Sequence, residues 1–119
     1  LIQQNDDQFK THLDRYKYWE RFPAESQGFY RAQGEQFLAR LEAQLSSQRY
    51  LLAEHVTLAD IALFPFIRQF AFVDKRWFDQ APYPKLQSWL QGFLNSPLFL
   101  AVMKKLPPWQ QGDAVVLLQ

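Results

Sequence analysis

Three side chains on one predicted helix are the strongest candidates for contact with a substrate. Lys10, His12 and Tyr16 lie close together in the sequence and combine a cation, an imidazole that titrates near neutral pH and a phenol. In one interpretation they face a cleft and touch a ligand. In the other, Lys10 and His12 lie on a solvated helix face and Tyr16 packs in the core or an interface. Spacing provides no second titratable partner for acid–base catalysis.

The second histidine and the missing cysteines limit the available chemistry. His55 precedes a predicted helix start, where the helix dipole disfavours an imidazolium, so we expect a neutral residue in a surface turn. The two histidines are far apart and have no carboxylates at ligand spacing, which predicts no metal site. The chain has no cysteine, so disulfides and thiolate catalysis within it are excluded. The sequence therefore assigns no catalytic residue.

Thr57 and Asp60 have the spacing of a structural helix cap. A threonine at the N-cap and an acid three residues later can each satisfy a backbone N–H at the helix start. From Leu58 to Ala71 only three residues are polar, and a helix that is apolar nearly all round is a buried one. We therefore predict that Thr57 and Asp60 cap a buried central helix, and that Asp60 is not a catalytic acid.

The sequence does not decide the positions of two polar residues in the central helix and of several aromatic residues. Arg68 and Gln69 interrupt the central helix, and they either reach the surface, pair with Asp74 or border a pocket. The aromatic residues are expected mostly in the core, although some of them could line an apolar substrate pocket. The set comprises Trp19, Phe64, Phe66, Phe70, Phe72, Trp77 and Trp89.

Hydrophobic spacing predicts five helices and no strand. The first is expected at about 5–21, with Asn5 as its cap, and the second at about 25–46, with a core-facing Gly34 that allows close approach of the first helix. The third is the central helix starting at Thr57, and a loop follows it. The fourth follows Pro82-Tyr83-Pro84, and the fifth runs from Ser96-Pro97 to about Lys105. The predicted fold is an all-α five-helix bundle at residues 1–109 with a tail at 110–119.

Composition excludes several classes of protein. The 119 residues are 48% hydrophobic and 17% aromatic, which is enough to form a packed core. The formal net charge is +1 and no basic run occurs, so we expect no nucleic-acid partner. No apolar stretch is long enough for a membrane span and the start does not resemble a signal peptide, so we expect a cytoplasmic protein. Because the chain starts without Met and within a sequence pattern that is already under way, we expect it to be part of a longer protein.

The central segment resembles a known family. Tyr50-Leu51-Leu52 to Asp60, followed by Ile61-Ala62-Leu63-Phe64-Pro65, resembles the centre of the glutathione transferase C-terminal helical domain, where a capping box opens the buried helix and a helical proline follows. Residues 82–90 and 96–99 resemble the next two helices, and residues 9–18 are similar to the opening helix in a bacterial branch. The resemblance covers residues 1–109. One departure is Ala53, where the family often has Gly.

The resemblance implies a division of labour. In the family, an N-terminal thioredoxin-like domain binds the cofactor glutathione and supplies the Tyr, Ser or Cys that activates its thiol. This chain would then supply a wall of the electrophile site, with Lys10, His12 and Tyr16 as substrate contacts, and part of a homodimer interface through its first two helices. Glutathione conjugation or thiol transfer would need the N-terminal domain, and no metal is implied. The alternatives are a non-catalytic interaction or structural module of the same fold, and a free-standing bundle with its own ligand pocket.

Overall fold

A computed structural model describes residues 2–104 of the chain. Helix α1 is continuous over residues 2–17, with an α-helical turn at Ile2–Gln4, a π-helical turn at Asn5–Phe9 and an α-helix at Lys10–Lys17. A 3-10 turn at Trp19–Arg21 follows. The other helices are α2 (Gln27–Ser47), α3 (Leu58–Val73), α4 (Lys75–Gln80), α5 (Pro84–Leu94) and α6 (Pro97–Lys104). The predicted boundary at residue 109 and the tail at 110–119 lie outside the described residues.

The all-α prediction is confirmed, with two differences in the elements. Asn5 does not cap the first helix, because α1 already includes Ile2, and Asn5 is buried within its π-helical turn. The loop predicted after the central helix contains a sixth, short helix, α4. It begins there because the side chain of Asp74 accepts a hydrogen bond from the backbone N–H of Trp77 at 3.1 Å, which caps the new helix.

The core forms around α3, as its apolar sequence predicts. Phe70 of α3 packs against Phe9 and Tyr16 of α1, with ring centroids 5.3 and 4.7 Å apart. Gly34 of α2 makes room for the same ring, since a Cβ atom there would collide with the Phe70 Cε2 atom. The nearest atoms to this glycine therefore belong to Phe70 of α3.

A side chain from α2 caps the start of α5. The two carboxylate oxygens of Glu42 accept hydrogen bonds from the backbone N–H groups of Lys85 and Leu86 at 3.0 and 2.8 Å. The Tyr83 hydroxyl donates to Glu35 of α2 at 2.8 Å in the same region. Helix α5 therefore starts where α2 provides its acceptors, because no side chain at its own N-cap residue, Tyr83, does so.

Candidate functional site

Three helix ends meet at one end of the bundle. Helices α1 and α3 run side by side in the same direction: the Lys10 ammonium lies 5.0 Å from the Phe66 ring centroid, and nearer both C-termini Lys17 Nζ donates to Gln69 Oε1 at 3.4 Å. The chain reverses through residues 18–26, and α2 runs back along α1. The C-terminal ends of α1 and α3 therefore lie beside the N-terminal end of α2.

This end carries all the exposed large aromatic side chains of the described residues. Two of them follow α1, one lies in the first turn of α2 and one in the last turn of α3. Their side chains are 38–52% exposed, whereas the other exposed large apolar residues, Leu52 and Val56, lie in the connection at the opposite end. We call these four residues the aromatic end of the bundle: Tyr18, Trp19, Phe29 and Phe72. Clustered exposed apolar surface is typical of a site that contacts a ligand or a partner.

Cations lie over two of these rings. The charged groups of Lys17 and Arg21 are 5.3 and 4.8 Å from the Tyr18 ring centroid. Those of Arg68 and Lys75 are 6.0 and 5.7 Å from the Phe72 ring centroid. These distances allow cation–π attraction, which holds each ring and its cation together at the surface.

The predicted substrate contacts are not brought together in one cleft. Lys10 is buried, forms an ion pair with Asp6 at 3.4 Å and lies against α3. His12 is half-buried, and burial together with the nearby Arg15 lowers its pKa. Two residues along a helix correspond to a rotation of about 200°, so Lys10 and His12 lie on nearly opposite faces. Their contact with substrate stays a prediction.

Tyr16 lies beneath the aromatic end rather than on its surface. Its side chain is fully buried, and among the described residues its hydroxyl forms no hydrogen bond. Burial raises the pKa of Tyr16; the nearby Arg31 acts in the opposite direction, while Asp74 and Glu35 add to the increase. A phenol held this way stays protonated at neutral pH and cannot serve as an anion there.

Asp60 has a structural arrangement and lies away from the aromatic end. One of its carboxylate oxygens accepts from the amide and the hydroxyl of Thr57 at 2.8 and 3.2 Å. The other accepts from the amide of Leu51 at 3.1 Å and from the indole N–H of Trp89 at 2.9 Å. The side chain is fully buried. With four donors directed at it, this carboxylate has few acceptor positions left for a substrate.

Sequence reasoning left open which aromatic residues belong to the core. Phe64, Phe66, Phe70 and Trp89 are buried, Trp77 is half-buried, and Trp19 and Phe72 are exposed. Helical phase was the available signal for Phe72, since it follows the polar Arg68 by four residues and therefore shares its exposed face. The sequence did not indicate that Tyr18 and Phe29 are exposed, because aromatic residues at these positions would also suit the core.

No group of three or more His, Asp or Glu side chains within residues 2–104 is placed to hold a metal ion. Within the same range, none of the helices combines the length and the apolar character needed to cross a membrane.

One comparison with known proteins gave a match. The family model described as glutathione S-transferase, C-terminal domain, matches residues 12–92, which is more than half of the chain. The matched stretch includes the C-terminal part of α1, all of α2, α3 and α4, and most of α5. No curated protein and no solved structure matches the chain significantly.

Proposed function

Because the chain belongs to the glutathione S-transferase C-terminal domain family, we propose that it is the helical part of a glutathione transferase-like protein. In this proposal it supplies one wall of the site for the electrophilic substrate. An N-terminal thioredoxin-like domain binds glutathione and activates its thiol. Conjugation or thiol transfer then requires both parts.

The aromatic end carries this proposal. Phe72, Tyr18 and two further aromatic side chains are exposed at the same end, although the rest of the described apolar surface is largely buried in the core. Aromatic side chains are the usual lining of sites for apolar ligands. A hydrogen bond between Lys17 and Gln69 joins α1 and α3 at this end, and a link of this kind between the helices would favour a preformed wall.

The assignment of thiol activation to another domain has a chemical basis. Activating a thiol requires a hydroxyl, a cysteine or a base that reaches the sulfur atom. The chain has no cysteine, Tyr16 is fully buried with a raised pKa, and the Asp60 carboxylate is occupied by four donors. These groups are poor candidates, which supports a division of labour between two domains.

We further propose a cytoplasmic homodimer. The predicted dimer interface involves α1 and α2, and the outward side of α2 presents the small exposed residues Ala32, Ala39 and Ala43, which would allow close approach of another helix. Sedimentation of the chain tests whether this association persists without the N-terminal domain.

Calorimetry with glutathione tests the division of labour. We expect no detectable heat of binding to the 119-residue chain and no conjugation of a model electrophile by it. Tight binding of glutathione to this chain alone would contradict the proposal. The sequence encoded upstream of Leu1 distinguishes the alternative: a thioredoxin-like β-α-β unit with Ser, Tyr or Cys near its first helix supports the enzyme, and a different domain supports a non-catalytic module.

A further inference from the structure

The charges at the aromatic end indicate more than an apolar wall. Arg21 lies over Tyr18, and Arg68 lies over Phe72. Neither guanidinium has a carboxylate within ion-pair distance among residues 2–104, whereas Lys75 at the same end is paired with Asp79. Two cations without an acidic partner therefore lie beside two exposed aromatic rings.

Other charged groups at this end do not neutralise the two arginines. Lys17 donates to the neutral Gln69, and its charge interacts with the Asp14 carboxylate. Asp14 lies one turn before Lys17 on α1, and Glu20 is exposed beside Trp19, but neither forms an ion pair with a described cation. Asp74, two residues after Phe72, caps α4 through its carboxylate and likewise forms no ion pair with a described cation. The two guanidiniums at the rings therefore have no carboxylate in ion-pair contact among the described residues.

We propose that the aromatic end selects aromatic compounds that carry a carboxylate. The ring of such a compound would pack against Tyr18 and Phe72, and its carboxylate would lie between Arg21 and Arg68. A guanidinium can bind a carboxylate through two hydrogen bonds from its edge while its flat face rests on an aromatic ring. This inference rests on the proposed function, because it specifies the charge of the electrophile that the wall accepts.

A matched pair of probes tests the charge selection directly. Naphthoate and naphthamide have the same ring and nearly the same size, and differ in charge. We would titrate each into the 119-residue chain and follow backbone amide shifts by NMR at low salt. We expect naphthoate to bind at least about threefold more tightly than naphthamide, with shifts around Tyr18 and Phe72, and this preference to shrink as salt is added.

Substitutions then localise the effect. Arg21→Gln and Arg68→Gln should each weaken naphthoate binding by about threefold and leave naphthamide binding unchanged. Arg49→Gln is the matched control, because Arg49 also lies over a ring, that of Tyr50 at 5.4 Å, but beyond the other end of α2. Arg68→Lys should keep part of the preference, because lysine retains the charge but not the two parallel hydrogen bonds, and this separates loss of charge from loss of folding.

The outcomes distinguish this inference from the proposed function. Equal affinities for the two probes, no binding of either, shifts centred elsewhere, or an equal effect of Arg49→Gln would each overturn the charge selection. None of these results depends on glutathione. Glutathione binding by the chain alone would instead contradict the division of labour and leave the probe preference intact.

Discussion

The indole N–H of Trp89 donates a hydrogen bond to the carboxylate of Asp60 at 2.9 Å, and this bond joins α5 to the start of α3. The same carboxylate binds the amide of Leu51 in the connection before α3 and the amide of Thr57 at the helix start. A residue that caps one helix therefore also holds a loop and a second helix. Its loss should affect the whole bundle rather than one helix end.

Replacing Asp60 by Ala should lower the free energy of unfolding by about 3 kcal/mol, because several buried donors lose their acceptor together. Urea unfolding followed by circular dichroism measures this, and Trp89 fluorescence should shift as its N–H loses its partner. Asp79→Ala is the control: Asp79 is exposed and, within residues 2–104, paired only with Lys75, so the expected loss is below about 1 kcal/mol. Equal free energies of unfolding for Asp60→Ala and the unmodified chain would show that this hydrogen-bond network adds no stability.

Gly34→Ala and Gly92→Ala should have opposite effects on stability. At Gly34 the new methyl group would collide with the Phe70 ring, so we expect a loss of about 1–3 kcal/mol despite the helix preference of alanine. At Gly92, on the exposed side of α5, nothing lies within 4 Å of the added carbon, and we expect a gain of about 0.5–1 kcal/mol. Thermal unfolding of the two variants checks both signs.

If the collision with Phe70 causes the loss of stability in Gly34→Ala, replacing the Phe70 ring by a smaller side chain should relieve it. The double variant Gly34→Ala with Phe70→Leu should lose less than the sum of the two single losses. Additive losses would mean that the Gly34 effect does not act through Phe70.

Stability should fall in alkaline solution because of Tyr83. Burial, together with the hydrogen bond to Glu35 and the charges of Glu35 and Glu42, raises the pKa of Tyr83 above its ordinary value. In the unfolded chain this phenol ionises near pH 10. The folded state therefore keeps a proton that the unfolded state releases, so its contribution is complete below about pH 10 and is lost as pH rises above it.

Tyr83→Phe provides the matched measurement for this effect. Urea unfolding at a series of pH values should show a shallower alkaline decline in the variant than in the unmodified chain. Tyr16 also has a raised pKa from burial, so the decline should not vanish completely. Identical alkaline profiles for the two chains would exclude Tyr83 as its source.

If the two-domain enzyme proposed above is correct, Phe72→Ala should reduce its catalysis while leaving the fold nearly unchanged. Phe72 is 52% exposed, so its truncation should alter stability by less than about 0.5 kcal/mol. We expect kcat/KM for an aromatic electrophile to fall by about three- to tenfold through lost apolar contact. Leu52→Ala is the control, since Leu52 is equally exposed, at 53%, but lies at the opposite end. Equal losses in both variants would contradict a site at the aromatic end.

Much of the fold was predictable because its signals are local. The inward face of α2 comprises Tyr30, Phe37, Leu41 and Leu45 at helical spacing, and all four are buried as predicted. The apolar run after Thr57 likewise predicts a buried helix, and α3 is that helix. Local capping by Asp74 was also present in the sequence, but the short α4 that it opens has too few turns for a periodic pattern to reveal it.

The candidate site was less predictable, because side-chain exposure depends on how helices pack. Lys10 looks like a surface residue in the sequence, yet packing of α1 against α3 buries it over Phe66. Phe72 looks like a core residue, yet no described helix covers the last turn of α3 on that side. Helical phase hints at the exposure of Phe72 through Arg68 one turn earlier, but the burial of Lys10 follows only from the neighbour that lies against it.

The sequence by itself determined the helical class, the buried central helix and the family resemblance, because periodicity, caps and apolar runs act within a few residues of one another. Only the tertiary structure decided that Trp89 and Leu51 complete the partners of Asp60, that Glu42 caps α5, and that four aromatic side chains remain exposed at one end. These relationships join residues far apart in the chain. They become visible only when packing of the core fixes the helices against each other.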